Sequence, residues 1–174
     1  MNTTIKNGLL AGVISSIILV GLHFVSFELS QSFSVGLIMT LVFPVIFMVL
    51  AIIAVRNEQE GFISFGEALK TSFIVFMICA IVVGIAQFAL YQTFTDDTWN
   101  KIVDIQLENA QDMMEMVGAD ETAMDIMKEE LTIEKIKEST SGIGNMMLGL
   151  LVNAFIGLII SLIVSAIMKR NPTP

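Results

Sequence analysis

The sequence predicts an all-α integral membrane protein, a four-helix bundle of membrane spans with an extracytoplasmic amphipathic helical hairpin between spans 3 and 4. Four stretches of 20 or more residues lack Asp, Glu, Lys and Arg, and about 20 mainly apolar residues in a helix cross the hydrocarbon core of a bilayer. Most of the charge lies instead within residues 95–141. The four charge-free stretches are residues 8–27, 33–55, 71–94 and 143–168.

The composition also indicates a lipid environment. Of the 174 residues, 55% are hydrophobic, and the mean hydropathy is +0.80. A soluble domain of this composition would expose a large apolar surface to water, so the lipid bilayer is the first predicted partner. We expect no nucleic-acid partner and no cofactor.

The first span, residues 8–27, is longer than the apolar core of a typical signal peptide, has no evident small-x-small cleavage site and is followed by further spans. We therefore expect it to stay in the mature protein. Gly8, Gly12 and Ser16 recur every four residues and share one face of the helix. Small side chains let helices approach closely in lipid, so this face is a predicted packing surface.

The second span, residues 33–55, contains Pro44 near its middle. Proline has no N–H to donate to the helix, and it predicts a kink that neighbouring helices must accommodate. Structural bending is the ordinary explanation of such a proline, and gating is the alternative.

The third span, residues 71–94, follows a signal for the start of a helix. Ser64 and Glu67 have the spacing of a capping box, in which the hydroxyl and the carboxylate each accept a hydrogen bond from a free backbone N–H. Cys79 is the single cysteine of the chain, and we interpret it as a packing residue. A ridge of small side chains, interrupted by Phe76, consists of Ala68, Ser72, Ala80 and Gly84.

The fourth span, residues 143–168, has a narrow, partly polar stripe along nearly its whole length. Its members recur every four residues, and a neighbouring helix is expected to cover them. We favour another span of the same chain as that neighbour, although a second copy in a homo-oligomer stays open. The stripe consists of Asn145, Gly149, Asn153, Gly157, Ser161 and Ser165.

The chain resembles a bacterial membrane family known as domain of unknown function 4199 (DUF4199). The resemblance rests on the string before the third span, Gly61-Phe62-Ile63-Ser64-Phe65-Gly66-Glu67-Ala68-Leu69-Lys70, in which Phe62 stands where the family pattern has Tyr. It extends to the acidic, Met-bearing segment after the third span and to a final run over residues 160–167 that is followed by basic residues. The resemblance implies the inner membrane of a Gram-negative envelope, but it implies no activity and no site residues.

The insertion, residues 95–141, has apolar residues at helical spacing. One pattern runs from Trp99 to Val117, and a second continues from Ala123 through Leu131 to Ile136, with Thr122 and Asp125 as a possible cap. Two amphipathic helices are predicted, in a hairpin that packs on itself or lies on the membrane surface. Tyr91 and Trp99 are the predicted interfacial anchors.

A methionine cluster in the insertion admits two interpretations. Thioethers are soft ligands for Cu(I), which makes the cluster a candidate metal site among acidic neighbours. The favoured interpretation is flexible core filling or an adaptable docking surface, because the cluster lacks the His or Cys of many soft-metal sites. Its members are Met113, Met114, Met116, Met124 and Met127.

The charge distribution predicts the topology. Residues 95–141 hold thirteen acidic residues against four lysines. The basic residues near span ends are expected on the cytoplasmic side, which places both termini in the cytoplasm and the insertion outside. These basic residues are Lys6, Arg56, Lys70, Lys169 and Arg170.

Four polar residues within the spans are candidates for one polar cluster. Interhelical hydrogen bonding is the favoured role, and a solute or proton site is the alternative in which His23 is the titratable group. The four are His23, Gln87, Asn145 and Asn153.

The functional expectation is a non-enzymatic membrane protein that binds or scaffolds other components of the bacterial envelope through the 95–141 hairpin. The spans contain no paired carboxylates, no His-Glu-x-x-His motif and no Ser or Cys with an evident base, so no catalytic residue is predicted. The alternative is a small solute or ion transporter or channel component. It is weakened by the lack of an ionisable carboxylate within a span.

Overall fold

The computed structural model describes residues 2–118 and 131–170, and every regular element within those ranges is helical. The elements are α1 (Thr3–Val25), α2 (Phe27–Gln31), α3 (Phe33–Leu37), a π-helical turn (Ile38–Val42), α4 (Phe43–Glu58), α5 (Phe65–Tyr91), α6 (Asp96–Val117), α7 (Ile133–Ser141) and α8 (Ile143–Met168). Four helices are long and apolar enough to cross a membrane, namely Thr3–Val25, Ser34–Glu58, Phe65–Tyr91 and Ile143–Met168. The predicted all-α class with four span-length helices is confirmed.

The second span is one apolar helix whose hydrogen-bonding pattern changes before Pro44. Pro44 has no N–H to donate to the carbonyl of Thr40, four residues earlier. The preceding residues form the π-helical turn, and the N–H of Phe43 donates to the carbonyl of Ile38. The disturbance predicted at Pro44 therefore takes the form of a π-helical turn joining α3 to α4.

Helix α5 is the centre of the bundle and packs against α1, α4 and α8. Close approach to α1 depends on two glycines. A Cβ added at Gly8 would lie 2.8 Å from Cβ of Ile78, and one added at Gly12 would lie 2.6 Å from Cβ of Val82. Any larger residue at either position would push α1 away from α5.

Ser16, the third residue of the predicted packing surface, lies at the margin of the face by which α1 contacts α5. Ser16 is partly exposed and donates a hydrogen bond to the carbonyl of Gly12 at 2.7 Å. Ser15 is buried instead, with Oγ 4.0 Å from Sγ of Cys79. The helical repeat of 3.6 residues explains the difference, because Ser15, seven residues after Gly8, returns to within about 20° of the direction of Gly8, whereas Ser16 is turned about 80° from it.

The stripe on α8 is covered by α5 only in part. Gly157 lies against the ring of Phe76, and the hydroxyls of Ser72 and Ser165 are 3.1 Å apart. Ser161 is buried between these contacts. Gly149, nearer the start of α8, is exposed, and an added Cβ there would meet nothing within 4 Å. The expectation that a neighbouring helix covers the whole stripe is therefore wrong at Gly149.

One end of the bundle, here called the terminal end, holds the start of α1, the α4–α5 connection and the end of α8. Gly61 has φ +90°, a conformation that glycine adopts without strain. Ile63 and Arg170 exchange two backbone hydrogen bonds of 2.9 and 3.0 Å. The Ile63 side chain is buried in the same core as Met48 and Val164. The connection is thereby attached to the end of the fourth span.

The predicted capping box is present at the start of α5. The Ser64 hydroxyl accepts from the N–H of Glu67 at 3.3 Å, and the Glu67 carboxylate accepts from the N–H of Ser64 at 3.2 Å. A further hydrogen bond joins Gln59 Nε2 to Glu67 Oε1 at 3.2 Å. The string that carries the family resemblance thus forms the turn, the cap and the first buried residue of α5.

The opposite end, here called the insertion end, holds α2, α6 and α7. Trp99 and Ile102 of α6 pack with Ile136 of α7 in one buried cluster, next to Tyr91 and Phe94. Trp99 is only 1% exposed, so the prediction that it is an interfacial anchor is wrong. The reason is that α7 supplies apolar cover for the indole within the protein.

The second predicted helix of the insertion lies mostly outside the described residues. Ala123, Met124, Met127 and the Thr122–Asp125 cap all fall within residues 119–130. Among the described residues, α7 begins at Ile133, and the hydroxyl of Thr132 accepts a hydrogen bond from the N–H of Lys135 at 3.4 Å.

Candidate functional site

A cavity of about 370 Å³, here called the bundle cavity, lies among the helices in the half of the bundle toward the insertion end. Its volume falls within the range of small-ligand sites in proteins. Gly36 and Gly149 are exposed residues in its wall, so the cavity opens to the surroundings. The polar residues that line it are Ser15, Ser30, Thr40, Gln87, Tyr91, Ser139, Thr140, Asn145 and Asn153.

The wall is built by helices from all four spans and by α2 and α7. On α5 the lining runs from Phe76 to Tyr91, a rise of about 22 Å at 1.5 Å per residue. Phe76, Cys79 and Pro44 line its deep part, and Ser139 and Thr140 of α7 line it at the insertion end. The cavity thus extends from the insertion end toward the middle of the bundle.

Three of the four predicted polar residues line this cavity together. Asn145 Nδ2 donates to the carbonyl of Glu138 at 2.7 Å, which ties the end of α7 to the start of α8. Asn153 Nδ2 donates to the carbonyl of Gly149 at 2.9 Å within its own helix. Gln87 faces the same space from α5. Among the described residues, these amides make no hydrogen bond to one another.

Among the described residues, the lining has no ionisable acid or base other than a thiol and a phenol. None of these lining residues is Asp, Glu, Lys, Arg or His. Cys79 is buried next to Ser15, and within residues 2–118 and 131–170 no base lines the cavity beside it. The described part of the wall can therefore offer hydrogen bonds and apolar contacts, but no charge to a ligand.

His23, the fourth predicted polar residue, lies outside the bundle cavity in an adjoining space of about 450 Å³. The two spaces share part of their lining, including Gln87 and Tyr91. The imidazole stacks on the ring of Phe94 with centroids 4.9 Å apart, and it meets Phe27 edge-on at 5.1 Å. Its buried Nδ1 has no hydrogen-bond partner among the described residues. His23 thus belongs to an aromatic cluster beside the amides.

Sequence reasoning missed the hydroxyl residues of the cavity. Ser30 belongs to a five-residue helix, and Ser139 and Thr140 lie at the end of α7. Polar residues in such connections carry no signal that they face a cavity. Pro44 signals only that the backbone carbonyl of Thr40 loses its helical donor, and this does not indicate where the Thr40 hydroxyl lies.

Among the candidate metal-binding methionines, the structure describes the side chains of Met114 and Met116. Met114 is half-buried, whereas Met116 is 79% exposed. Residues two apart on a helix do not face each other, so this pair cannot share one ion. Met113 lies in α6, and Met124 and Met127 fall outside the described residues. Within the described ranges, no group of three His, Cys, Asp or Glu side chains is arranged to hold a metal ion.

The sequence is similar to a known protein family. The family model described as "Protein of unknown function (DUF4199)" matches residues 6–170, nearly the whole chain. No curated protein and no solved structure matches the chain.

Proposed function

The chain belongs to the DUF4199 family, and from this premise we propose that it is a non-enzymatic binding protein of the bacterial inner membrane whose ligand occupies the bundle cavity. The observation that carries the proposal is the convergence of Gln87, Asn145 and Asn153 on one open space. Polar groups facing an apolar medium without partners cost several kcal/mol each. A hydrogen-bonding ligand removes that cost.

The chemistry of the wall supports binding over catalysis. General acid–base catalysis needs a group whose pKa suits proton transfer near neutral pH, and nucleophilic catalysis needs an activated nucleophile. The cavity offers amides, hydroxyls and the Cys79 thiol, and no described residue of its lining could act as a base for that thiol.

Native mass spectrometry of the protein purified from bacterial membranes tests this proposal. The expected result is a bound non-protein mass that Gly149→Leu removes, because this leucine would enter the cavity. Gly144→Leu is the matched control, since Gly144 does not line the cavity and an added Cβ there also meets nothing within 4 Å. An identical set of bound masses in both variants and the parent protein would contradict the proposal.

The proposed orientation places both termini and the α4–α5 connection in the cytoplasm. It is supported by the basic residues Lys6, Arg56 and Lys70, which all lie near the terminal end, as do Lys169 and Arg170. In a Cys79→Ser background, Asn100→Cys on α6 is expected to react with an impermeant maleimide in intact spheroplasts. Gln59→Cys at the terminal end should react only after lysis. The reverse pattern would invert the orientation.

Transport of a small uncharged solute is the second candidate function. It is favoured by the adjoining space around His23, which continues the bundle cavity along Gln87 and Tyr91. The terminal half of the bundle is packed, with Phe76 against Gly157 and Ser72 beside Ser165, so a transport cycle would have to separate α5 from α8. The transport hypothesis predicts solute flux in proteoliposomes that His23→Ala alters. Unaltered flux would mean that His23 does not lie on the transport pathway.

Scaffolding through the insertion is the third part of the proposal. Met116 presents an exposed thioether on α6 next to Glu115, a combination that suits an adaptable docking surface. The expected partner is another envelope protein. Substitution of Met113 and Met116 by Ser should weaken its recovery after crosslinking in cells, whereas Met147→Ser on α8 should not. Equal recovery from all variants would count against docking on α6.

A further inference from the structure

We propose that the bundle cavity receives the uncharged, hydroxyl-bearing headgroup of a neutral lipid, which enters sideways between the second and fourth spans. This inference rests on the proposed binding function of the cavity and specifies the class of ligand. It follows from the chemistry of the wall, from the side on which the cavity opens and from the apolar surface beside the opening.

The wall selects against charge. An anionic headgroup is normally held by Arg, Lys or a cluster of backbone N–H groups, and a cationic one by carboxylates or aromatic cages. Within the described ranges, the lining has neither basic nor carboxylate side chains. The free energy needed to bury an unpaired charge there would far exceed the stabilisation from the available hydrogen bonds. The ligand group inside the cavity is therefore uncharged.

The free hydrogen-bonding atoms suit a hydroxyl group. Asn153 donates a hydrogen bond from Nδ2 to the carbonyl of Gly149, so its Oδ1 remains available as an acceptor. Gln87 offers both a donor and an acceptor, and Thr40 adds a hydroxyl from the second span. A hydroxyl can donate to the asparagine oxygen while it accepts from Gln87. A ligand with two adjacent hydroxyls would satisfy several groups at once.

The opening lies toward the bilayer. Near the terminal end, the second and fourth spans share one core through Met48 and Val164. Toward the insertion end both spans instead line the cavity, with exposed Gly36 on one span and exposed Gly149 on the other. These glycines carry no side chain that could close the entrance. Since both helices are span-length and apolar, an entrance between them would face hydrocarbon in a bilayer.

The surface beside the entrance suits acyl chains. Leu148 next to Gly149 is 59% exposed, and Val152, one turn further along the same flank of α8, is 60% exposed. A lipid whose headgroup occupies the cavity could lay its chains over these side chains and remain within the bilayer. A soluble polyol would gain nothing from them. The combination of a polar cavity and an apolar surface beside its entrance therefore favours a lipid over a small solute.

Water is the competing occupant, because the volume would hold about a dozen molecules at roughly 30 Å³ each. Water needs no acyl chain and would be displaced by any small polar solute. A lipid probe with a photoreactive chain distinguishes the two.

The test uses the full-length protein in nanodiscs that contain a small fraction of a diacylglycerol with a diazirine in one chain. Illumination is expected to label peptides from the second span near Met39 and from α8 near Leu148. Gly149→Leu should lower this labelling about tenfold, a change of about 1.4 kcal/mol in binding, and Gly144→Leu should leave it unchanged. Equal labelling in both variants would mean ordinary bilayer contact and would overturn the inference.

Competition separates the possible ligands. Unlabelled diacylglycerol should suppress the signal, whereas phosphatidic acid with the same chains should not, because its phosphate is charged. Equal competition by phosphatidic acid would contradict the selection against charge. Suppression by free glycerol would contradict a lipid as the ligand, but it would still agree with a binding function of the cavity.

Thr40→Val, which keeps the shape of the side chain, is the second variant. It should weaken labelling without filling the cavity.

Discussion

The aromatic ring of Phe76 lies directly against the backbone of Gly157, so that a Cβ added at Gly157 would overlap Cδ1 of the ring. Phe76 is 2% exposed and also lines the deep part of the bundle cavity. The contact joins α5 to α8 at the level where the packed half of the bundle meets the cavity. It therefore controls both stability and the depth of the candidate site.

Gly157→Ala is expected to destabilise the protein by about 1–3 kcal/mol, the usual cost of forcing extra volume into a packed interior. The free energy of unfolding in mixed micelles, followed by circular dichroism during SDS titration, measures the loss. Gly144→Ala is the control and should change stability little, because nothing lies within 4 Å of its added Cβ. Phe76→Leu should recover part of the loss in the double variant. A Gly157→Ala protein as stable as the parent would contradict the contact.

The hydroxyl pair Ser72 and Ser165, 3.1 Å apart and buried, should contribute a measurable coupling energy. Interhelical hydrogen bonds in membrane proteins average about 0.6 kcal/mol, with a maximum of about 1.7. A double-mutant cycle with Ser72→Ala and Ser165→Ala measures this energy. Ser161→Ala serves as the contrast, because Ser161 Oγ has no partner among the described residues; it should be neutral or stabilising. A zero coupling energy in the cycle would exclude a stabilising bond between Ser72 and Ser165.

Ile63→Ala should destabilise the terminal end. Ile63 is 1% exposed and belongs to the main core, and truncation of a buried isoleucine to alanine costs about 2–5 kcal/mol. Its backbone hydrogen bonds to Arg170 should persist, so limited proteolysis of the α4–α5 connection should increase only modestly. Phe65→Ala, at a position that is 38% exposed, is the matched control. If both variants lost the same stability, the buried position of Ile63 would be in doubt.

Trp99 is the single tryptophan of the chain, and its burial is directly observable by fluorescence. The expected emission is blue-shifted and resistant to quenching by iodide, because α7 covers the indole. Ile136→Glu should shift the emission to longer wavelength and raise the quenching constant, since a carboxylate in this apolar cluster would separate α7 from α6. Ile133→Glu at an exposed position of α7 should have little effect. Strong quenching in the unmodified protein would contradict the burial.

Several features could be read from the sequence because their causes are local or compositional. Charge-free stretches of helical length predict span-length helices whatever they pack against, since lipid requires internal hydrogen bonding of the backbone. The Ser64–Glu67 capping box depends only on residues three apart, and it is present. The amphipathic pattern from Trp99 likewise predicts α6. Pro44 signalled a disturbed helix, although the π-helical form of the disturbance depends on how the neighbouring residues pack.

The cavity could not be predicted because its parts are distant in sequence. In the sequence Phe76 interrupts a small-residue ridge, yet in three dimensions its ring fills the space left by Gly157. The stripe on α8 predicts a contact face, but the pattern alone does not indicate that Gly157 is covered and Gly149 is open. Periodicity gives the face of a helix and not the neighbour opposite that face.

The amino-acid sequence by itself determined that this chain forms four apolar span-length helices with an acidic insertion, because length, hydropathy and capping act within each segment. Only the tertiary structure decided that α5 is central, that α7 buries Trp99, and that Gln87, Asn145 and Asn153 meet at one open cavity. The physical reason is that helix contacts depend on the size and shape of side chains more than 60 residues apart, as for Phe76 and Gly157. No local pattern contains that information.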